Sequence, residues 1–264
     1  MKPRIRYIAL LSDSPDGQAR FYSRYLDLQE LGRSNEGDVS MTDGFFNITF
    51  LKRRPEIQDH RNEVGLHHIG LEVPSIAEVE EKYRALRPNM PILDEPGGLH
   101  FGERRIFDPE GTPISLSERP FGVEKVEEKL PRIRHIAYNA LWPEGVHNFF
   151  VLMFGFRELE ASFERRAQGR LNRFSGDGTT NFAIHPFFNK SDGHQPRYGV
   201  NHYGFLVKDI ASKLEELMEE APAEKRPATR PYAEYRFRDP DANMLDLSQS
   251  KGWEVDVGRW ERAA

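Results

Sequence analysis

Three side chains in the second half of the chain, His135, His202 and Asp246, have the types and surroundings to hold a divalent cation. Each sits in a short, mostly apolar segment: IRHIAY (133–138), VNHYGF (200–205) and NMLDLS (243–248). Side chains of a strand alternate between two faces. The residues two positions away are small or apolar: Ile133 and Ala137, Val200 and Gly204, Met244 and Ser248. An isolated carboxylate on such a face is costly, and a cation shared with two imidazoles removes that cost. Two His nitrogens and one carboxylate oxygen, from three separate strands, make a facial set that leaves positions for substrate. It suits Fe(II), and also Mn, Zn or Ni. The chain has no cysteine, so any metal rests on His, Asp and Glu, and a disulfide framework is excluded.

The elements that must position these residues occur twice. IRYIAL (5–10) matches IRHIAY (133–138), and GLHHIGLEV (65–73) matches GVNHYGFLV (199–207). DPEGTPISLSE (108–118) matches DPDANMLDLSQ (239–249), and DGFFNITF (43–50) matches DGTTNFAI (177–184). The offsets are 128, 134, 131 and 134 residues. Four pairs in one order at nearly one spacing mark a duplication. Its joint falls in SERPFGVEKVEEKL (117–130), charged and punctuated by Pro and Gly. Domains are therefore expected at 1–120 and 131–253. At the positions of His135, His202 and Asp246 the first half has Tyr7, His68 and Ser115. That half is expected to hold no metal, with His68 structural.

Each half divides again into a strand, a helix and two or three further strands. Helices are expected at 14–25, opened by Ser-Pro-Asp-Gly, and at 76–86, 144–154 and 210–219. One such unit cannot cover the apolar face of its own sheet, so the units must stack. Pro-rich stretches 87–100 and 221–231 and the polar stretch 189–197 are expected to be loops, as suited to rimming a cavity as to plain surface connection.

Composition narrows the partners. The 264 residues are 38% hydrophobic and 30% charged, with net charge −5, a balance that points to neither nucleic acid nor a membrane surface. The longest apolar stretch, 149–156, is far below membrane-spanning length, and the run at 8–11 is too short for a signal-peptide core. A cytoplasmic protein acting on a small molecule is expected, as a monomer or a homo-oligomer.

With these motifs in this order, the chain resembles the vicinal oxygen chelate superfamily: glyoxalase I, type I extradiol dioxygenases, bleomycin- and fosfomycin-resistance proteins and an epimerase. The resemblance is carried by HIGLEV-type strands after a glycine and by a D-P-x-G type of turn before the last strand. It spans residues 4–253. It implies an α+β fold of four βαβββ units in two paired-module domains, each with a curved mixed sheet forming a cavity. Four units most resemble the extradiol dioxygenases, whose C-terminal pair supplies His, His and a carboxylate from its first, fifth and last strands. His135, His202 and Asp246 match those positions. The implied activity is Fe(II)-dependent cleavage of a catechol-like substrate chelated through adjacent oxygens, with dioxygen as co-substrate and the ion as Lewis acid.

Departures from that pattern mark further candidates. Asp246 stands where Glu is usual, and Ala242 replaces the turn glycine. Asn181 stands where the ring-cleaving members keep a His, with His185 farther along the same face. Arg236, beside Tyr235, stands where they keep a Tyr about ten residues before the carboxylate. The catalytic candidates are thus His185, Arg236, Tyr235 and Asn181. Arg236 is a permanent cation able to pair with a substrate carboxylate or enolate. Tyr235 alternates with it, so only one of the two can face the site. His185 is a candidate acid or base. Two other functions share the site: an isomerase, epimerase or lyase working through an enediolate, and a small-molecule binding protein without turnover.

Overall fold

A computed structural model describes residues 2–54, 64–95, 102–123, 129–188, 199–218, 220–228, 232–249, 252, 253 and 255. The first unit is β1 (Arg4–Ser12), α1 (Pro15–Leu26), β2 (Gln29–Arg33), β3 (Val39–Thr42) and β4 (Asn47–Lys52). The second is β5 (Gly65–Glu72), α2 (Ile76–Leu86), β6 (Leu93–Asp94), β7 (Arg104–Phe107) and β8 (Pro113–Ser117). The third is β9 (Arg132–Ala140), α3 (Pro143–Phe154), β10 (Arg157–Glu158), α4 (Glu160–Ala167), β11 (Arg173–Gly176) and β12 (Asn181–Pro186). The fourth is β13 (Gly199–Leu206), α5 (Ile210–Leu217), β14 (Glu224–Lys225), β15 (Tyr235–Arg238) and β16 (Met244–Ser248). Three strands follow the first helix of every unit, within the two or three expected. The helix α4 is an addition that periodicity did not signal. It has eight residues and buries only Ala161 and Ser162, so it carries no apolar stripe.

Polar caps set the helix starts. Ser14 and Ser75 accept from the backbone N–H of Gly17 and Glu78, and Asp209 from those of Ala211 and Ser212. Of the predicted loops, 87–100 contains the short β6 and 221–231 contains β14, each an edge strand of its sheet. Residues 96–100 and 229–231, and the stretch 189–197, lie outside the described residues.

The strands form two eight-stranded mixed sheets of identical order, β2-β3-β4-β1-β5-β8-β7-β6 and β10-β11-β12-β9-β13-β16-β15-β14. At the centre of each, the first strands of two units pair antiparallel, β1 with β5 and β9 with β13. Each is flanked by the last strand of its own unit, running parallel: β4, β8, β12 and β16. Neither sheet closes into a barrel. The fold is α+β, as the resemblance implied.

One apolar core runs through both halves, from Ile8, Phe50 and Leu71 to Phe150, Phe182 and Leu247. Buried aspartates tie the halves reciprocally. Asp177 Oδ2 accepts from Ile5 N at 2.7 Å, and its repeat partner Asp43 accepts from Ile133 N at 2.8 Å. Asp239 accepts from Tyr22 of α1 at 2.9 Å and Asp108 from Tyr138 of β9 at 2.9 Å. The turn after Asp239 places Ala242 at φ 61°, where Gly111 in the matching turn has φ 82°. The alanine holds a left-handed backbone that its Cβ resists.

Burial pushes the Asp239 carboxyl up to about 7. A carboxyl that binds its proton more tightly when folded stabilises the protein below its unfolded pKa and loses that stabilisation as pH rises through the folded value. The melting temperature is therefore expected to fall between pH 5 and pH 7.5, and Asp239→Asn to flatten that slope. Calorimetric melts of both proteins across this range check it, and parallel curves would contradict it.

Candidate metal centre

The candidate residues line up on one rung of the second sheet. Asn181 of β12 pairs with His135 of β9, His135 with Gly204 of β13, Gly204 with Asp246 of β16, and Asp246 with Arg236 of β15. His202 precedes Gly204 by two positions, so it points to the same face. Gly204 leaves room for the Trp253 ring, since a Cβ there would lie 2.3 Å from it. Trp253 stacks on His135, with centroids 5.4 Å apart and 6° between planes.

The two imidazoles are held in one tautomer. His135 Nδ1 donates to Asn181 Oδ1 at 2.8 Å, and His202 Nδ1 donates to Asn201 Oδ1 at 2.6 Å. An amide oxygen only accepts, so each proton sits on Nδ1. Burial first, against the pull of Asp246, lowers the His135 pKa to about 4. Burial, then the Arg236 guanidinium, pushes His202 well below the ordinary value. Both rings are thus neutral at physiological pH, and both Nε2 atoms carry bare lone pairs. These atoms face each other at 3.1 Å. Two acceptors so placed repel unless a positive group lies between them. Nitrogens bound at about 2.1 Å to one ion, at about a right angle, stand about 3 Å apart. The imidazole pair fits a divalent cation on both counts.

The third candidate is already engaged. Asp246 Oδ2 lies 3.5 Å from His202 Nε2. Arg236 donates from Nε to Oδ1 at 2.5 Å and from Nη2 to Oδ2 at 2.9 Å, a two-pronged pair in a buried setting. Among the described residues, no three His, Asp or Glu side chains close around a single point as metal ligands. Asp246 is instead turned towards the guanidinium.

The remaining candidates separate. Asn181 orients His135. His185 stands four residues along β12, bonded through Nδ1 to the Asn172 amide, its ring 5.8 Å from that of His202. Tyr235 packs against the main core on the opposite face, so Arg236 is the member of that pair at the site. Spacing had not signalled Trp253, Asn201 or the hold of Arg236 on Asp246. Trp253 lies just past the last repeat motif and outside every repeat pair, and only the sheet register brings Arg236 and Asp246 side by side.

The first sheet has the same rung, Asn47, Tyr7, Gly70, Ser115 and Arg105, but fills it with its own groups. The Tyr7 hydroxyl bonds His68 Nε2, His67 Nδ1 lies 2.6 Å from His68 Nδ1, and Phe121 packs 5.2 Å from the Tyr7 ring. Glu95 accepts from Ser115 Oγ at 2.8 Å and pairs with Arg105.

Residues 4–116 match the Glyoxalase/Bleomycin resistance protein/Dioxygenase superfamily. The match lies within the first of the two repeated halves. The second half repeats the topology of the first strand for strand, and solved structures resemble the whole chain. The 2,3-dioxygenase LapB from Pseudomonas sp. KL28 superposes with a TM-score of 0.67 at 16% identity, over 97% of this chain and 94% of that one. The Mn(II)-bound glyoxalase from Novosphingobium aromaticivorans gives 0.70 at 17%, over 96% and 83%. Homoprotocatechuate 2,3-dioxygenase from Arthrobacter globiformis gives 0.69 at 15%, over 97% and 82%. At these identities the likeness shows the fold alone. Comparison with curated proteins finds no match.

Proposed function

We propose that the chain is a metal-dependent enzyme of this superfamily, acting on a small molecule that chelates through two adjacent oxygens, with extradiol-type dioxygenation as its reaction. The observation that carries the proposal is the facing pair of neutral imidazoles, His135 and His202, with Asp246 beside them in the second of two domains, 1–120 and 131–253. The three would hold Fe(II), or Mn(II), Zn(II) or Ni(II), and the bound ion would supply Lewis acidity that lowers the pKa of a chelating hydroxyl.

The protein's own groups then have distinct tasks. Asn181 and Asn201 lock the imidazole tautomers and aim Nε2 inward. Trp253 covers the flat face of His135 and keeps water from it. Arg236 supplies a fixed positive charge for a substrate carboxylate or enolate. His185 is placed to take or return a proton at the edge of the site. The likeness in architecture to LapB over nearly its full length favours the dioxygenase. His185 beside His202, with the guanidinium of Arg236 at the same site, favours a second reading, an enediolate-forming isomerase, epimerase or lyase.

Oxygen uptake decides between them. Protein loaded anaerobically with Fe(II) and offered a panel of catechols is expected to consume dioxygen and form a ring-opened, yellow product. Metal-loaded protein that consumes none would remove the dioxygenase and leave the second reading.

A further inference from the structure

The two rungs differ at one informative position. In the first sheet, Arg105 is turned towards Glu95, which follows β6 and anchors its N–H to the Glu103 carbonyl at 3.2 Å. The matching residue after β14 anchors its N–H to the Glu234 carbonyl at 2.8 Å, but it is Arg226. An acid in one half is therefore a base in the other. With Arg226 at the place of Glu95, and Glu224 of β14 exposed opposite it, Arg236 pairs with Asp246, the carboxylate of the proposed ligand set.

Resting on the metal-site reading above, we propose that Arg236 is a specificity-determining residue that shares Asp246 with the cation, loosening the metal and selecting a doubly negative chelating substrate. A guanidinium bound to the ligand carboxylate cancels the charge that carboxylate would lend the ion. An imidazole ligates an ion in its neutral form and adds none. The loaded centre keeps the ion's full double charge, in a buried site where an unmatched charge is costly. The ligand that completes it must bring that charge itself, as a vicinal-oxygen chelator with a carboxylate or a second ionised oxygen does. A singly charged chelator leaves the centre unbalanced. The first sheet needs no such ligand, because Glu95 balances Arg105 from within.

Calorimetric titration with Mn(II) alone tests the first part. Arg236→Gln is expected to bind Mn(II) at least about tenfold tighter than wild type, because the competing pair is gone. Arg226→Glu is expected to do the same while keeping Arg236, by offering the guanidinium the partner that Glu95 offers Arg105. That second variant keeps the test sound if the first, with Asp246 left alone when metal-free, folds poorly. Mn(II) should then raise the melting temperature of Arg236→Gln more than that of wild type. A merely structural arginine predicts the reverse, weaker binding in both variants, and that result overturns the proposal. Oxalate and tropolonate, a dianionic and a monoanionic vicinal-oxygen chelator, test the second part. Mn(II)-loaded wild type is expected to prefer oxalate, and Arg236→Gln to shift the ratio at least about tenfold towards tropolonate; an unchanged ratio overturns the selectivity. His135→Ala separates the two levels: if it binds Mn(II) as wild type does, the metal-site reading itself fails.

Discussion

Replacing His202 by alanine is expected to lower Mn(II) affinity at least about a hundredfold and to leave His68→Ala, at the matching place in the first sheet, binding as wild type does. Loss of groups that merely orient a ligand costs roughly 10–100-fold in affinity, and loss of the ligand itself costs more. The His202 ring is buried, its Nδ1 proton is spent on Asn201, and its Nε2 lone pair faces that of His135 at 3.1 Å. His68 differs, because its Nε2 bonds the Tyr7 hydroxyl and offers no lone pair to an ion. The measurement is metal content after dialysis against Mn(II), with circular dichroism of both variants as the check on folding. Equal metal in His202→Ala and wild type would remove the centre from the second sheet.

The second large effect is on stability, with Gly70→Ala. A Cβ at Gly70 would lie 1.9 Å from the Tyr7 ring, a distance that demands movement. The ring has nowhere to go. Tyr7 is almost wholly buried, packed against Phe121 on one side and bonded to His68 at its tip. Overpacking a rigid core costs about 1–3 kcal/mol, and more where neighbours cannot give. At roughly 2–4 °C per kcal/mol for a chain of this size, the melting temperature should fall by about 5–10 °C. Gly37→Ala is the control, since nothing stands within 4 Å of the added carbon and only its φ of 90° opposes the change. A melting temperature for Gly70→Ala equal to that of the control would mean that Tyr7 is not held as described.

Gly70 lies on the rung of the first sheet, and His202 lies two positions from Gly204 on the matching rung of the second. Tyr7 lies over Gly70 in the first sheet, and Trp253 lies over Gly204 in the second. Each half needs a glycine where an aromatic ring crosses the sheet, but the ring comes from the neighbouring strand in one case and from beyond the last strand in the other. In the first half a tyrosine hydroxyl and a glutamate close the cluster. In the second the same space faces two bare nitrogens.

Much of this was legible in the residues. The four repeat pairs carried the duplication, because strands that pair at matching places in a doubled sheet keep matching apolar patterns. His135, His202 and Asp246 stood out because a buried polar residue in an apolar strand demands a partner. The alternation of Tyr235 and Arg236 required that one of them face away from the site, without saying which.

What the chain alone determined was therefore its periodic part: the main strands and helices, though not α4, β6 or β14, that they occur in two copies, and which polar residues fall on inward faces. Tertiary structure decided the partnerships. His135, Gly204, Asp246 and Arg236 are separated by 69, 42 and 10 residues, yet they share one rung, because strand order and register are set by packing between units rather than by any local signal. A local pattern records which way a side chain points. It does not record which strand lies beside it, and hydrogen-bonding chemistry is short-ranged. For that reason the grip of Arg236 on Asp246, the tautomers set by Asn181 and Asn201, and the indole over His135 appear only once the sheets are assembled.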